Sequence, residues 1–587
     1  MKIFLNRLAS APMEGRATGT PGEQRATEYA AELFRQMKLI PAGDKGSYFQ
    51  PFEFIAGVSL GAKNSLAVVL DEQTTGKCIL HQEWRPLAFS GTGPITRSGV
   101  VFAGYGIGAP ADEKLEAYDS YQGLDVKDKW VLVFRYVPEN VSAERRQHLL
   151  RFAGLPFKAA AARNHGARGI VVVSGPNSRV KDQLVKLQFE GSPAASSLGA
   201  LTIVDSLAEE WLKTEGKDLK SLQDALDNGQ SVPGFPLKKV MLETQLDIEK
   251  VKRWGRNVLG RLSAGNHPLP GMIVLGAHID HLGRGEGNNS LARAEEKGQI
   301  HFGADDNASG TAALLELAQY FSSRIKDHPG EFRRDLLFAV WSGEELGLLG
   351  SSHFAQTYGG SPERQKLTPD IISYLNLDMV GRLDQKLVLQ GIGSSSGWKS
   401  LVESKNATLQ IPLSLQNESY LPTDATAFYL KGVPILSAFT GAHADYHTPR
   451  DTPDRINFPE MNRITRLFAG IMEGLEAASE APDYQEMKKP ENLRARAGMR
   501  IYLGTIPDFS KPDTKGVALA GAAKGGPADK AGIQKGDIII ELAGKKIENI
   551  YDYTYAMGLL KIGEPTTVVV QRGAEQVKLT IVPAARE

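Results

Sequence analysis

The chain has 587 residues, and its 42% of hydrophobic positions supply enough apolar material for several packed cores. Lys plus Arg and Asp plus Glu both number 68, and this zero formal net charge argues against nucleic acid or an anionic membrane as the main partner. Cys78 is the single cysteine, which excludes an intrachain disulfide and leaves His, Asp and Glu as the ligands of any metal.

The sequence predicts no transmembrane segment, because no uncharged apolar run approaches the roughly 18 residues that span a bilayer. Near the N-terminus only Ile3, Phe4 and Leu5 form an apolar run, which is too short for a signal peptide. If a signal peptide has been removed, we expect an exported protein, periplasmic or secreted. A cytoplasmic location stays open.

In the first half of the chain, the pattern of residues changes from helical to β-rich at about residue 54. Before it, a turn at residues 19–22 opens an amphipathic helix, whose apolar residues recur at helical spacing: Ala26, Tyr29, Ala30, Leu33 and Phe34. From residue 54 to residue 248, short β-rich runs alternate with Gly, Pro and Asp turns. This stretch is predicted to be a separate, β-rich domain.

Strands and helices alternate through residues 249–478. Strands are expected at 272–277, 336–341 and 371–379, and helices at 307–321, 344–358 and 461–475. This order predicts an α/β fold, a doubly wound, mainly parallel sheet with helices on both faces. Residues 479–498 have the prolines and charges of a linker, and Gly-rich turns and short strands follow in residues 499–587.

Metal-ligand side chains recur where predicted strands end, which is where open α/β sheets place their ligand sites. The segments are His278-Ile279-Asp280, Asp305-Asp306-Asn307, Glu344-Glu345, Asp378 and, farther on, Asp445-Tyr446-His447. Singly, each is explained by helix caps, first-turn acids or a surface His-Asp pair. Together, two histidines and at least three carboxylates make the ligand set of a binuclear metal site.

The order and local sequences of these motifs resemble those of the di-zinc aminopeptidases related to glutamate carboxypeptidase and the transferrin receptor. Residues 13–16 and the turn after them look like the N-terminal element of that family, and residues 256–258 look like the strand that resumes the peptidase domain. Residues 103–107, 124–129 and 166–169 are similar to segments of a protease-associated (PA) domain. Residues 502–505 stand in the place of the carboxylate-binding loop of a bacterial PDZ domain.

The resemblance implies a domain plan for the whole chain. The peptidase domain comprises residues 1–53 and 249–478, in the family's α/β/α sandwich with a mixed sheet. A β-rich PA domain is inserted at residues 54–248, a linker follows at residues 479–498, and a PDZ domain ends the chain at residues 499–587.

The resemblance also implies the metal ligands. His278 and Asp378 would bind one zinc ion, Glu345 and His447 the other, and Asp305 would bridge them, with cobalt or manganese as possible substitutes. Among the catalytic residues, Glu344 matches the family's general base and Asp280 the acid that orients His278. Tyr446 matches a phenol that stabilises the oxyanion in some members.

Physical chemistry supports the same roles. Two zinc ions bring a bridging water to a pKa near neutrality, and a glutamate beside them can accept its proton and later protonate the leaving amine. A cluster rich in carboxylates also favours a substrate with a free cationic amine. We therefore expect a zinc-dependent aminopeptidase that acts on peptides with free N-termini, with a C-terminal peptide as a further partner of the PDZ domain.

Several alternatives stay open. A single-zinc glutaminyl cyclase and a receptor-like binding protein without activity are the rival functions. His281 and His443 are expected to support the site more than to bind metal, and Asp424 is either a helix cap or an acid near the pocket. The loop at residues 284–301 either shapes the substrate entrance or is only a surface loop.

Overall fold

A computed structural model describes the protein except for residues 112–114, 181, 188–197, 287–288, 329, 361–365, 488–500, 508–513, 524, 548–552, 554–555, 558–559 and 586–587. The chain begins with helices α1 (Lys2–Leu8) and α2 (Pro21–Gln36) and strands β1 (Ile40–Pro41) and β2 (Phe49–Leu60). The helix predicted after the turn at residues 19–22 is confirmed as α2. It begins at Pro21, whose fixed φ suits the first helical position.

The insert between β2 and residue 248 contains ten strands and four helices within its described residues. The strands are β3 (Ser65–Leu70), β4 (Gln73–Lys77), β5 (Trp84–Pro86), β6 (Gly93–Phe102), β7 (Gly108–Ala109), β8 (Tyr118–Asp119), β9 (Trp130–Phe134), β10 (Gly169–Val173), β11 (Gly199–Ile203) and β12 (Phe235–Leu246). The helices are α3 (Ala143–Leu150), α4 (Leu155–Asn164), α5 (Asp205–Lys213) and α6 (Leu219–Asp227).

Eight of these strands form one sheet in the described part of the insert, in the order β4-β3-β12-β6-β9-β10-β11-β5. Strands β6, β9, β10 and β11 are parallel neighbours, and such pairs need crossover connections. The insert therefore has more helix than its β-rich pattern predicts. Separate apolar clusters, one around Trp84 and Phe134 and one around Val131 and Ile170, give it its own core.

The chain returns to the α/β domain through β13. The remaining strands there are β13 (Ile248–Leu262), β14 (Met272–His278), β15 (Leu336–Trp341), β16 (Ile371–Leu377), β17 (Leu387–Gln390), β18 (Leu413–Leu415) and β19 (Ile435–Phe439). The helices are α7 (Gly310–Asp327), α8 (Leu349–Thr357), α9 (Trp398–Asn406), α10 (Ala425–Tyr429) and α11 (Phe458–Ala477).

Within the described residues, nine strands form a mixed sheet in the order β1-β13-β15-β14-β16-β19-β17-β18, and β2 pairs with β13. The central strands β15, β14, β16 and β19 run parallel to one another, so their carboxyl ends meet at one edge. Two apolar clusters built on alternate strand residues, one containing Leu275 and Phe338 and the other Val274 and Ala339, pack against helices. The predicted α/β architecture is confirmed.

The elements whose bounds are described in the C-terminal unit are short strands and a short helix. These are β20 (Ile501–Tyr502), β21 (Thr505–Pro507), β22 (Val517–Ala522), α12 (Pro527–Lys530), β23 (Ile538–Leu542), β24 (Lys545–Lys546), β25 (Thr566–Arg572), β26 (Glu575–Ile581) and β27 (Ala584–Ala585). Of the predicted linker, residues 488–498 lie outside the described residues. Residues 479–487 pack on the α/β domain, where Tyr484 and Met487 contact its apolar cluster. Across the described chain, no helix combines the length and apolarity needed to cross a membrane.

The insert is attached through a two-stranded ribbon. Strands β2 and β13 pair antiparallel along their length, and Leu60 lies opposite Ile248. The predicted boundary at residue 54 therefore falls inside β2. The chain therefore enters and leaves the insert at adjacent paired residues. The insert also has apolar clusters of its own.

We expect the α/β domain to fold without the insert. Replacing residues 61–247 with Asn-Gly would join Leu60 to Ile248 by a two-residue hairpin turn that suits a paired antiparallel ribbon. The shortened protein should give one cooperative thermal transition by circular dichroism and keep a near-ultraviolet signal. An aggregated protein without near-ultraviolet signal, beside a folded intact control, would show that the insert is needed for folding.

Candidate metal centre

The predicted ligand segments converge at the carboxyl ends of three parallel strands. His278 ends β14, Glu344 and Glu345 follow β15, and Asp378 follows β16. The turn at residues 304–309 before α7 and the loop after β19 complete the site. This is the edge where open α/β sheets place their ligands.

Three side chains form the first group of potential ligands. His278 Nε2 lies 3.4 Å from Asp306 Oδ1 and 3.4 Å from Asp378 Oδ1. One ligand atom from each of the three residues lies within 4.8 Å of the others. His278 and Asp378 were expected to share an ion, and the structure brings them together.

A second group shares Asp306 with the first. His447 Nε2 lies 3.1 Å from Asp306 Oδ2 and 3.3 Å from Glu345 Oε2. His281 belongs to this group as well, because one ligand atom from each of His281, Asp306 and Glu345 lies within 4.8 Å of the others. Its Nδ1 lies 2.9 Å from Glu345 Oε1 and 3.8 Å from Asp306 Oδ2. Asp306 therefore presents one oxygen to each group.

The structure corrects the position expected for the shared carboxylate, which belongs to Asp306 and not to Asp305. Asp305 Oδ1 accepts hydrogen bonds from the Gly381 N–H at 2.7 Å and the Ser309 hydroxyl at 3.1 Å. Its Oδ2 lies 3.3 Å from His443 Nε2. Adjacent residues of this irregular turn point in different directions, and the sequence offers no means of telling which of two neighbouring aspartates faces the site.

The orientation of the imidazoles leaves their Nε2 atoms for the site. His447 Nδ1 lies 2.8 Å from the Asn289 carbonyl, and His278 Nδ1 lies 3.2 Å from the Asp280 carbonyl. A carbonyl only accepts, so each Nδ1 carries a proton, and in the neutral imidazole the lone pair is then on Nε2. The loop at residues 284–301 thus contacts the site, since Asn289 Nδ2 also donates to the Glu345 carbonyl at 2.9 Å.

Asp280 supports the two glutamates more closely than it supports His278. Its carboxylate lies 3.8 Å from His278 Nδ1. It accepts the N–H groups of Glu344 at 3.2 Å and Glu345 at 3.3 Å, and the Thr18 hydroxyl at 2.9 Å. The glutamates therefore lie in a loop fixed by Asp280, and α8 begins only at Leu349, later than the predicted helix start at residue 344.

Glu344 and Tyr446 border the groups without contributing a ligand atom to them. Burial raises the pKa of the Glu344 carboxyl well above its usual range, and Asp378 and Glu345 add to this shift. The Tyr446 ring stacks on His447 with 3.8 Å between ring centroids. Asp424 is buried just before α10, and burial raises its pKa to about 7.

Two side chains of the N-terminal segment form hydrogen bonds with the segments that carry the site. The fully buried Arg16 donates to the carbonyls of Ile279 at 2.7 Å, Phe302 at 2.8 Å and Gly303 at 3.0 Å, which joins the segments after His278 and before Asp305. Glu23 accepts the Ser342 hydroxyl at 2.6 Å. These supports were not predicted individually, because a residue that binds backbone carbonyls has no sequence pattern of its own.

The donor set fits zinc. Imidazole nitrogens and carboxylate oxygens are its usual ligands besides thiolate. The largely buried carboxylates around the groups outnumber the histidines and include Asp280, Asp306, Glu344, Glu345, Asp378 and Asp424. Burial alone would lower the pKa of His447, but Glu345 and Asp306 raise it to about 11. Such an excess of buried negative charge is stabilised by bound cations.

Comparisons with known proteins give two matching family models. Residues 257–472 match the family model described as Peptidase family M28, and residues 520–572 match the PDZ domain model. An aminopeptidase of Pseudomonas aeruginosa is 25% identical over 449 residues, which cover 75% of this chain and 69% of the relative. The probable lipoprotein aminopeptidase LpqL of Mycobacterium tuberculosis is 26% identical over 491 residues, covering 77% of this chain and 79% of that protein.

Solved structures similar to this chain include an aminopeptidase from Aneurinibacillus sp. strain AM-1. Its TM-score is 0.48 and its sequence is 20% identical, and the match covers 84% of this chain and 95% of that one. A zinc aminopeptidase from Bacillus subtilis has a TM-score of 0.45 and 19% identity, covering 83% and 98% of the two chains. The family models confirm the expected peptidase family and the PDZ domain. The identity of the insert as a PA domain stays a prediction.

The two neighbouring aspartates offer a matched pair of variants. Asp306→Asn should lower the affinity for metal at both ligand groups by more than the roughly 10–100-fold that loss of an outer hydrogen-bond partner costs, because it removes the shared carboxylate. Asp305→Asn should keep its metal, because an amide oxygen can still accept the Gly381 N–H. Zinc content by mass spectrometry checks both, and metal loss from the Asp305 variant alone would contradict the assignment.

Proposed function

We propose that the site removes N-terminal residues from peptides with two zinc ions that share Asp306, in a domain whose residues 257–472 match the model of Peptidase family M28. At the level of class, the protein is a zinc-dependent aminopeptidase, in agreement with its family match and its relatives. The observation that carries the two-ion proposal is the position of Asp306, whose two oxygens face two separate groups of ligand atoms.

His278 and Asp378 would hold one zinc ion, and Glu345 and His447 the other. His447 is proposed as the ligand in preference to His281 because its Nε2 lies within 3.3 Å of both Asp306 and Glu345. His281 approaches Glu345 through Nδ1 at 2.9 Å and orients that carboxylate. When bound, zinc supplies Lewis acidity, which polarises the scissile carbonyl and acidifies water.

Glu344 moves the proton in this proposal. Its carboxylate contributes no atom to the ligand groups, and burial favours its protonated form once it has accepted a proton. An Oε atom of Glu344 takes the proton of the attacking water and delivers it to the leaving amine. The Tyr446 hydroxyl donates to the oxyanion, while stacking on His447 fixes the plane of the phenol ring.

The charge of the site supports a choice of substrate end. The carboxylates exceed the imidazoles, so a substrate that brings a free cationic N-terminus is attracted to the site. An acylated N-terminus lacks this charge. We therefore expect exopeptidase action from the N-terminus.

The insert and the C-terminal domain are assigned accessory roles. The insert is proposed to be a PA domain that borders access to the site. In the PDZ domain, β21 pairs with β22 and is otherwise the end of its sheet within the described residues, which leaves an edge for an extended C-terminal peptide. Export of the protein is likewise proposed, and one relative is named as a lipoprotein.

A panel of amino-acyl p-nitroanilides tests the proposed function. We expect the metal-free protein to be inactive, zinc to restore hydrolysis at two ions per chain, and N-acetylated substrates to resist. Binding of one zinc ion per chain, together with cyclisation of N-terminal glutamine and no anilide hydrolysis, would support a single-zinc glutaminyl cyclase instead.

Substitution of the proposed base separates proton transfer from metal binding. Glu344→Gln should keep both zinc ions and lose at least about 100-fold in kcat, because it removes a proton acceptor and no ligand. Zinc analysis and steady-state kinetics on the same preparation check this. If zinc is lost together with the activity, Glu344 is a ligand and the roles of the two glutamates must be revised.

Deletion of residues 499–587 tests the role of the PDZ domain. Its described contacts with the peptidase domain include Lys535 Nζ and Asp384 Oδ2 at 2.6 Å, a pair exposed by 66% and 63% that contributes about 0–1 kcal/mol. The shortened protein should hydrolyse small anilides within a few-fold of the intact protein, and its rate on longer peptides should change. Parallel losses on both substrates with a lower melting temperature would indicate a purely stabilising domain.

A further inference from the structure

Asp451 is a fully buried carboxylate that lies behind the shared ligand. Its Oδ2 accepts the N–H of Asp305 at 2.9 Å and the N–H of Asp306 at 3.1 Å. Its backbone carbonyl accepts the N–H of Ala304 at 3.1 Å. Three consecutive amides of the turn that carries Asp306 are therefore bound by one residue.

Arg382 extends this contact to the other ligand segments. It donates through Nη2 to Asp451 Oδ1 at 2.9 Å and through Nη1 to Asp445 Oδ2 at 2.9 Å. Arg382 follows Asp378 by one short loop, and Asp445 precedes His447 by two residues. The three charged side chains thus connect the segments that carry Asp306, Asp378 and His447.

The geometry of these contacts sets the direction of the Asp306 side chain. With the amides of residues 304–306 held by Asp451, the turn cannot rotate about its axis without breaking hydrogen bonds in a water-poor interior. The Asp305 side chain in turn accepts the Gly381 N–H at 2.7 Å. Rotation of the turn is the movement that would exchange Asp305 for Asp306 at the site.

We infer that Asp451 and Arg382 are positioning residues that hold Asp306 between the two groups of ligands. They contribute no atom to the ligand groups of the described residues, so they act through Asp306. The inference rests on the proposed function, in which Asp306 serves both zinc ions. The negative charge of Asp451 is balanced by Arg382, so the carboxylate can accept two amides without adding an uncompensated charge to the site.

Asp451→Asn in the full-length protein tests this role. Asparagine has one acceptor oxygen, so it cannot serve the two amides and Arg382 together. We expect the affinity for both zinc ions, measured by competition with a chromophoric chelator, to fall by about 10–100-fold. Activity should recover with excess zinc, because the ligands and Glu344 remain.

Two further variants complete the design. Arg382→Lys keeps the charge but cannot bridge Asp451 and Asp445 with two fixed N–H groups, so it should weaken both zinc sites to a lesser degree. Asp384→Asn, in the same loop and exposed, is the matched control and should bind zinc as the wild type does. Melting temperatures of the metal-free proteins separate lost stability from lost zinc affinity.

The inference is overturned if folded Asp451→Asn binds both ions within about threefold of the wild type, or if only one of the two affinities falls. If this variant does not fold, Arg382→Lys is judged by the same two affinities. Failure of the proposed function gives a different result, in which the intact protein binds fewer than two zinc ions or Asp306→Asn retains both, and that result would overturn the inference as well.

Discussion

The geometry of the candidate site depends on the carboxylate of Asp306, which is shared by two groups of potential ligands. Its two oxygens lie 3.4 Å from His278 Nε2 and 3.1 Å from His447 Nε2, imidazoles carried by segments far apart in the chain. A carboxylate shared in this way requires a backbone turn of fixed orientation and ligand residues placed at neighbouring strand ends. The excess of buried negative charge around it also requires bound cations. The surrounding fold supplies the turn and the strand ends.

The strand ends come from the parallel arrangement of β15, β14 and β16. Each strand is buried along its length, and the residues of the candidate site lie at or just after its carboxyl end, at the same edge for all three strands. Loops then complete the site: Asp280 holds the glutamates by their amides, Asn289 fixes the tautomer of His447, and Arg16 joins two segments through their carbonyls. Hydrogen bonds to the backbone thus set the positions of the side chains in the candidate site.

Predictions from the sequence succeeded where a pattern has a physical period. Alternation of apolar runs and helical stripes predicted the α/β domain, and the residues at the ends of its strands predicted most members of the site. His278, Glu345, Asp378 and His447 all face Asp306 or each other. The assignment of ligand and catalytic roles to them stays a proposal.

Predictions were weakest where direction depends on the fold. Whether Asp305 or Asp306 faces the metals depends on a turn held by Asp451, a residue from the far end of the domain. The expected helix start at Glu344 was wrong because Gly347 and Leu348 adopt positive φ and the glutamate amides bind Asp280. Helices α3 and α4 of the insert connect the parallel strands β9 and β10, and parallel pairing is a property that short β-rich runs do not reveal.

The most direct test of the shared site is anomalous diffraction from crystals of the zinc-loaded protein, recorded on both sides of the zinc edge. We expect two zinc peaks per chain, one beside His278 and Asp378 and one beside Glu345 and His447, with the Asp306 carboxylate between them. A single peak, or two peaks joined by Asp305, would contradict the two-ion site proposed for this peptidase.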